Sequence, residues 1–287
     1  MDKGDGNVCN GSIHNKQIAN SDERDALGRP GTSYNGYTAR MPVSKDAPYY
    51  NMAHPRRGTM EDANKLQACL KNLDFDVFMY KDLKKDDIEK IIEDASKMDH
   101  SNHDCILVVT LTHGEADIVY AKDKPYKTQS LWSTFTADKC PTLAGKPKMF
   151  FFQACQGDNL DPGVDLHRDA NRTETDGERH ESYRIPTHAD FLIVYSTANG
   201  FFSWRNTTKG SWFIQALCEE LSENAFKLDL MTLLTFVSRK VATEFESNVP
   251  GNIQMHGQKQ IPCIISQLTR LIKFQKSKFL PGPSNFV

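Results

Sequence analysis

Short apolar runs alternate with longer amphipathic stretches along most of this chain. Apolar runs at 105–110, 149–153 and 191–195 predict buried strands, since strands covered on both faces read as continuous hydrophobic segments. Further strands are predicted at 75–80 and over 261–274. Apolar residues spaced three and four apart predict helices over 59–73, 84–98, 211–222 and 231–247, with a helical turn at 130–136.

The order of these elements indicates the fold class. Strands that alternate with helices of about 12–18 residues are typical of an α/β protein with a parallel sheet. We therefore expect a three-layer α/β sandwich with a central, mainly parallel sheet flanked by helices. The first helix is expected to open with a capping box in residues 59–62, which read Thr-Met-Glu-Asp.

Two polar segments interrupt the pattern. Residues 1–40 are rich in Gly, Asn, Ser and Asp, and their few apolar residues show no periodicity. Such a segment cannot bury enough surface to offset its ordering entropy, so a disordered leader is expected. Residues 158–186 carry many charges and almost no apolar side chains, which predicts a mobile loop or linker.

Composition excludes several functional classes. The 287 residues carry a net charge of −2, so electrostatics give no reason to expect binding to nucleic acid or to an anionic membrane. No apolar stretch of about 18 residues occurs, and the N-terminus lacks an apolar signal region. A soluble protein of the cytoplasm is therefore expected.

The cysteines are too scattered for a metal or redox motif. Seven are present, and no Cys-x-x-Cys pair occurs among them. A Cys/His metal-binding module would need clustered ligands, and a dinucleotide site would need Gly-x-Gly-x-x-Gly after a strand; neither pattern is found. We expect neither a metal nor a cofactor. The cysteines are Cys9, Cys69, Cys105, Cys140, Cys155, Cys218 and Cys263.

Two short motifs follow predicted strands and carry the candidate chemistry. Residues 153–157 read Gln-Ala-Cys-Gln-Gly, and residues 111–115 read Leu-Thr-His-Gly-Glu, which places His113 upstream of Cys155. The pentapeptide is a known local signature of the caspase nucleophile, with a histidine upstream. Both residues come just after strands, where open α/β sheets build their binding crevice.

The chemistry of these residues suits acyl transfer. A free thiol titrates near 8.5, so an adjacent imidazole that accepts its proton makes it a better nucleophile. Gly114 leaves room for a substrate carbonyl beside the backbone. The amide N–H groups of Gly114 and Cys155 are candidate oxyanion donors, and each such donor contributes about 3–4 kcal/mol in other acyl-transfer enzymes.

The sequence resembles an effector caspase, most like the insect ones, over residues 41–80 and 99–274. The resemblance implies a caspase-like fold and a cysteine endopeptidase that acts in apoptosis by cleaving after aspartate in Asp-Glu-x-Asp-like sequences. It implies homodimers of processed large and small chains. The partners it implies are protein substrates with exposed Asp-containing loops, an upstream initiator caspase and inhibitor-of-apoptosis type proteins. The stretches that carry it, besides the two motifs, are 120–123, 137–141, 189–192, 203–206 and 210–213, followed by Leu217 and Cys218.

The same resemblance assigns roles to individual residues. It implies that Cys155 is the nucleophile and that His113 is the general acid and base. Arg205 and Gln153 are implied to grip the substrate aspartate, with Ser203 alongside. The neighbouring subsites are implied to be lined by Trp204, Asn206 and Trp212, with Phe202 as an apolar wall.

The chain also contains two candidate processing sites. Residues 22–25 read Asp-Glu-Arg-Asp before Ala26, and residues 173–176 read Thr-Glu-Thr-Asp before Gly177. Both lie in polar segments, where proteolysis concentrates. Cleavage after Asp25 and Asp176 divides the chain into a propeptide, a large subunit and a small subunit, which predicts a zymogen. These units are 1–25, 26–176 and 177–287.

One departure from the family pattern matters. The family opens its domain with an apolar strand and then a loop that carries a second pocket arginine; here residues 49–59 run almost directly into the first helix, so roughly two dozen family residues are absent. Arg56 is nominated for the pocket, although Arg56 and Arg57 equally match the basic pair that precedes the missing strand.

Two functions follow: an active protease, or a catalytically impaired, shortened isoform that acts as a binding partner or dominant inhibitor of the full-length caspase.

Overall fold

A computed structural model describes residues 58–163 and 186–275, together with the backbone of residues 22–24. Asp25, Arg56 and Asp176, which figure in the sequence predictions, lie outside the described residues. In chain order the elements are β1 (Asp22–Arg24), α1 (Thr59–Lys71), α2 (Lys85–Lys97), β2 (Ile106–Leu111), β3 (Gly114–Glu115), β4 (Ile118–Tyr120), β5 (Pro125–Lys127), β6 (Lys148–Gln153), β7 (Phe191–Tyr195), β8 (Trp204–Asn206), β9 (Gly210–Ser211), α3 (Trp212–Asn224), α4 (Leu230–Glu244) and β10 (Cys263–Ser266).

The main sheet has the strand order β10-β7-β6-β2. Strands β2, β6 and β7 run parallel to one another, and β10 is antiparallel to β7. The two central strands, β6 and β7, are buried at every position, which explains their continuous apolar sequences. The predicted fold class, an α/β sandwich with a mainly parallel sheet, is confirmed.

Alternate residues of β6 face two separate hydrophobic layers. Met149 and Phe151 pack with the apolar faces of α1, α3 and α4. Phe150 and Phe152 pack on the other face with α2 and two short 3-10 turns. Because each fully buried large side chain contributes about 1.5–3 kcal/mol, the two layers clamp the central strands from both sides.

Two smaller sheets lie beside the main one. The first has the order β3-β4-β5, with antiparallel pairs throughout, and follows β2 directly. The second has the order β1-β8-β9, again antiparallel. Strand β8 is therefore the middle strand of three, with β9 on one side and β1, from the N-terminal part of the chain, on the other.

The strand predicted at 75–80 is not formed. Phe78 is 77% exposed, Tyr80 is 61% exposed, and the backbone here is neither strand nor helix. A strand needs a hydrogen-bonded neighbour, and no described residue pairs with this segment. In the part of the chain that the structure describes, β2 pairs only with β6 and is half-buried, not covered on both faces as the sequence predicted.

The predicted last strand is much shorter than expected. Only Cys263–Ser266 pairs with β7, in a register that ends at Leu192. Strand β7 has only five residues, so it cannot support a longer antiparallel partner. The chain then leaves the sheet, and Thr269 donates its backbone N–H to the Asp190 carboxylate at 3.0 Å.

The helices begin and end within three residues of the predicted positions, but the predicted capping box is wrong. Helix α1 starts after Gly58, which adopts a left-handed conformation and supplies no side-chain cap. The Asp62 carboxylate instead accepts hydrogen bonds from Ser211. A long-range contact has therefore replaced a local one.

No helix among the described residues is long and apolar enough to cross a membrane.

The exposed segment 75–80 gives a test of this architecture. Phe78→Ala is expected to change the free energy of unfolding by no more than about 0.5 kcal/mol, because the ring packs against little. Phe150→Ala, in the fully buried β6, serves as the control and is expected to cost about 3–5 kcal/mol. Urea denaturation measures both values. A loss of several kcal/mol for Phe78→Ala would mean that this segment is an inner strand after all.

Candidate active site

Two neighbouring strands end at the same level and present the two motif residues. In the β2–β6 pair Leu111 lies opposite Gln153, and the Thr112 N–H donates to the Gln153 carbonyl at 3.1 Å. His113 and Cys155 each follow two residues after this last pair. Because the strands are parallel, both residues lie at the same C-terminal edge of the sheet, as the sequence predicted.

The glycine after His113 is required by a close backbone approach. A Cβ atom on Gly114 would lie 2.7 Å from the Cys155 carbonyl oxygen and 2.9 Å from the Ile118 carbonyl oxygen. Any other residue would push the two strand ends apart. The contact brings together the two backbone segments whose N–H groups are the candidate oxyanion donors.

The last glycine of the Gln-Ala-Cys-Gln-Gly motif has an equally definite reason. Gly157 has φ of 152°, and a Cβ there would lie 2.4 Å from the Gly200 carbonyl oxygen. The loop after Cys155 is tied to the segment around Gly200 through backbone bonds, among them Gln156 N–H to the Phe201 carbonyl at 3.0 Å. The nucleophile candidate therefore lies in a loop that is fixed on both sides.

Ser203 covers the sulfur of Cys155. The Ser203 N–H donates to Cys155 Sγ at 3.2 Å, and Sγ lies 3.7 Å from the Ser203 carbonyl oxygen. Cys155 is 1% exposed. An amide N–H directed at the sulfur favours negative charge on it.

A buried hydrogen-bond network joins β6 to the same segment. Gln153 Nε2 donates to Ser203 Oγ at 2.7 Å, and Ser203 Oγ lies 2.9 Å from Ser196 Oγ. Ser196 Oγ donates to the Ala154 carbonyl at 3.1 Å. Gln260 extends the network to β8, since its Oε1 accepts from the Trp204 N–H at 2.6 Å. Ser196 and Gln260 were not predicted, because neither belongs to a recognisable motif.

Arg205 is a buried cation in the middle of β8. Its side chain is 1% exposed, and it packs beside Gly58, where a Cβ would lie 3.4 Å from Arg205 Cδ. The sequence nominated Arg205, Gln153 and Ser203 to hold one carboxylate. The structure brings Gln153 and Ser203 into direct contact and places Arg205 two residues further along the same segment.

The aromatic residues nominated for the subsites form a stack. Trp204 and Trp212 are parallel with ring centroids 5.8 Å apart, and Phe202 approaches Trp204 at 6.4 Å. Phe245, which the sequence did not single out, adds a ring 5.5 Å from Trp212. Trp204, Trp212 and Phe202 are all buried, so these rings present little open surface.

Asn206 serves the turn that follows β8. Its Oδ1 accepts from the Thr208 N–H at 3.0 Å, the Thr208 hydroxyl at 2.8 Å and the Lys209 N–H at 2.9 Å. The side chain thereby closes the hairpin between β8 and β9. Its predicted subsite role stays a prediction.

Asp62 is a fully buried carboxylate that holds β9 in place. It accepts from the Ser211 N–H at 2.7 Å and from the Ser211 hydroxyl at 2.6 Å. Its partner lies 149 residues away, so the sequence carries no local signal for the contact. Because β9 pairs with β8, Asp62 also positions the strand that carries Arg205.

No group of three or more His, Cys, Asp or Glu side chains able to hold a metal ion is found within residues 58–163 and 186–275.

Comparisons with known proteins agree with the resemblance noted in the sequence. A profile of the caspase domain matches residues 46–273. Caspase-1 of Spodoptera frugiperda is 52% identical, over 95% of this chain and 97% of its own length. Caspase drICE of Drosophila melanogaster is 50% identical, over 88% of this chain and 80% of its own length. The crystal structure of the Spodoptera caspase-1 superposes with a TM-score of 0.74, at 51% identity, covering 85% of this chain and 99% of that one.

The lengths of these alignments bear on the missing strand. The alignment with the Spodoptera protein runs over 293 positions, but the aligned 95% of the 287 residues fills only about 273 of them. About 20 positions of that relative therefore have no counterpart here. The alignment with drICE gives the same difference of about 20. This agrees with the size of the gap predicted ahead of α1.

The contact between Asp62 and Ser211 gives a second prediction. Asp62→Ala leaves two buried donors without an acceptor and is expected to lower the free energy of unfolding by about 2–5 kcal/mol. Asp62→Asn keeps one acceptor and is expected to cost less. Glu61→Ala is the matched control, because the Glu61 side chain is 45% exposed in an ion pair with Lys65. Equal effects of Asp62→Ala and Glu61→Ala in urea denaturation would contradict the assignment.

Proposed function

The chain belongs to the caspase family of cysteine endopeptidases, and from this premise we propose that it cleaves proteins after aspartate in Asp-Glu-x-Asp-like sequences during apoptosis. Cys155 is the nucleophile and His113 the general acid and base in this proposal. The observation that supports it most is the register of β2 against β6. The two parallel strands end side by side, and His113 and Cys155 each follow one of them at the same edge of the sheet.

The proposed reaction uses these groups in sequence. His113 accepts the thiol proton, and the Cys155 sulfur attacks the carbonyl carbon of the substrate aspartate, so the bond from that carbon to the next residue's nitrogen is the one that breaks. The N–H groups of Gly114 and Cys155 stabilise the oxyanion. His113 then protonates the leaving amine, and water hydrolyses the thioester to restore the thiol. No cofactor is needed at any step.

Specificity for aspartate is assigned to Arg205 and Gln153, with Ser203 alongside. A guanidinium can give a carboxylate two parallel, charge-assisted hydrogen bonds. A substrate with asparagine at this position would leave the buried cation without a countercharge, and sites of this kind reject such analogues strongly. Arg56 is retained as a candidate for the same pocket. Trp204, Asn206, Trp212 and Phe202 are proposed to shape the neighbouring subsites.

We also propose that the chain is a zymogen that processes itself. The units are a propeptide of residues 1–25, a large subunit of 26–176 and a small subunit of 177–287, acting as a homodimer. An initiator caspase and inhibitor-of-apoptosis type proteins are the proposed regulators, and the cytoplasm the proposed location. Free cysteines at Cys69, Cys105, Cys140, Cys155, Cys218 and Cys263 suit a reducing compartment.

A second candidate function rests on the exposed edge of the sheet. Among the described residues, strand β2 has a hydrogen-bonded neighbour on one side only, and Phe78 and Tyr80 are exposed. Unpaired buried backbone groups cost about 1–3 kcal/mol each, a large fraction of the 5–15 kcal/mol that stabilises a typical domain. A chain weakened in this way could act by binding a full-length caspase without turnover. Dimerisation without hydrolysis of an aspartyl reporter would select this function.

Hydrolysis and labelling test the proposed active site together. The purified protein is expected to hydrolyse an Asp-Glu-x-Asp reporter, to leave its Asp-Glu-x-Asn analogue uncut, and to take up one equivalent of an aspartyl halomethyl ketone. Cys155→Ala is expected to lower kcat/KM by at least about 10³-fold and to abolish the label. Mass spectrometry locates the label, and its absence from Cys155 in an active preparation would refute the assignment.

Two other cysteines serve as internal controls in the labelling experiment. Hydrogen bonds with Cys218 and Ser222 lower the pKa of the Cys69 thiol, which makes it the thiol to control for in the labelling. Burial raises the pKa of Cys105 to about 11, so that thiol should not react. Cys69→Ser is therefore expected to keep the single aspartate-directed label.

Self-processing is tested by the size of the expressed chain. Cys155→Ala is expected to give one full-length band, and Asp176→Ala to retain the joined large and small units while still losing the leader. Intact-mass measurement identifies each end. Fragments of the same sizes from Cys155→Ala would show that another protease makes the cuts.

A further inference from the structure

Helices α1 and α3 pack side by side in a fixed register. The Asp62 carboxylate in α1 accepts hydrogen bonds from Ser211, the residue before α3, at 2.7 and 2.6 Å. Seven residues further along each helix, at 69 and 218, Cys69 lies against Cys218. The partners are 149 residues apart in both contacts. The helices therefore run in the same direction and meet at two points that are about two turns apart.

The second of these contacts is made by thiol and hydroxyl groups. Cys69 Sγ lies 3.7 Å from the Cys218 carbonyl oxygen and 3.6 Å from Ser222 Oγ. The Ser222 hydroxyl donates to the same carbonyl at 2.7 Å, from one turn further along α3. Cys69 Sγ also accepts a hydrogen bond from the Cys218 thiol. The two sulfur atoms therefore lie within hydrogen-bonding reach of one another, and both residues are reduced.

The two thiols differ in exposure and in acidity. Cys69 is half-buried beside the exposed Ser222, whereas Cys218 is 7% exposed and belongs to the hydrophobic layer that α3 forms with α1 and α4. The hydrogen bond from Cys218 lowers the pKa of Cys69, and the same bond together with burial raises the pKa of Cys218. A small solute therefore reaches Cys69 first, and Cys69 is the thiol that ionises more readily.

We propose that Cys69 and Cys218 form a redox site, separate from His113 and Cys155, that closes to a disulfide between α1 and α3 on reaction with a hydroperoxide. The Cys69 sulfur bonds to the terminal oxygen of the hydroperoxide and the O–O bond breaks. The other oxygen takes the thiol proton and leaves as an alcohol or, from hydrogen peroxide, as water. The Cys218 sulfur then attacks the Cys69 sulfenic acid, whose hydroxyl leaves as water with the Cys218 proton. Two thiols lose two electrons in all, and the peroxide gains them.

The packing of the helices favours closure within one chain. The hydrogen bonds of Asp62 already hold α1 and α3 in register, so Cys218 needs no large movement to reach the oxidised sulfur. The bond joins α1, in the proposed large subunit, to α3, in the proposed small subunit. It therefore keeps these two units covalently joined after a cut at Asp176, and only this consequence depends on the proposed function.

Peroxide treatment of the full-length Cys155→Ala chain tests the site without relying on hydrolysis, and it removes the catalytic thiol as a competitor. Hydrogen peroxide is expected to lower the intact mass by two hydrogen atoms. A digest without reductant should then contain one peptide pair, joined through Cys69 and Cys218. Cys69→Ser is expected to abolish this pair, and Cys218→Ser to stop the reaction at the Cys69 sulfenic acid, which dimedone traps. Cys105→Ser is the matched control and should keep the pair, because burial raises the pKa of that half-buried thiol to about 11.

Stability gives a second measurement of the same bond. A crosslink between residues 149 apart restricts the unfolded chain, so oxidation is expected to raise the urea midpoint of Cys155→Ala. Reductant should remove the increase, and Cys69→Ser should show none while matching the parent chain when both are reduced. Disulfides spread over other cysteine pairs would overturn the proposal. So would a Cys69 sulfenic acid that persists although Cys218 is intact, or a Cys69 thiol that peroxide leaves unmodified.

Discussion

The contacts of Ser203 hold the candidate site together, because this one residue joins three segments that are far apart in sequence. Its N–H contacts the Cys155 sulfur, and its hydroxyl bonds to Gln153 and lies against Ser196. Strand β8 begins at the next residue. Arg205 follows only two residues after Ser203, which contacts the sulfur. The distance between the candidate nucleophile and the cation proposed to bind the substrate carboxylate is therefore fixed by this short segment.

The two halves of the candidate dyad are supported unequally. Cys155 follows β6, a central strand that is buried at every position between two hydrophobic layers. His113 follows β2, which is half-buried and has one hydrogen-bonded neighbour in the described part of the sheet. Edge elements with few buried contacts open at a lower free energy than the core. Displacement of the His113 imidazole is thus the first failure to expect, since no described strand supports the outer edge of β2.

The sequence predicted what depends on local pattern and missed what depends on distant partners. The continuous apolar runs located β6 and β7, and the motifs located His113 and Cys155 at their strand ends. Segment 75–80 has a strand-like sequence, but strand formation also requires a neighbour, and no described residue pairs with this segment. Asp62 was read as part of a helix cap because its true partner, Ser211, is 149 residues away. The pairing of β1 left no apolar signal, since it is made by the backbone.

Substrate binding and catalysis depend on different contacts in this fold. Strand β8, which carries Arg205, is held by the contacts of Ser203 and by its pairing with β9. His113 depends instead on the register of β2 against β6, and in the described part of the sheet β2 has no second neighbour to support that register. Weakening of β2 would therefore act on catalysis before it acts on binding, because an imidazole out of place cannot accept the thiol proton even when a peptide is bound along β8.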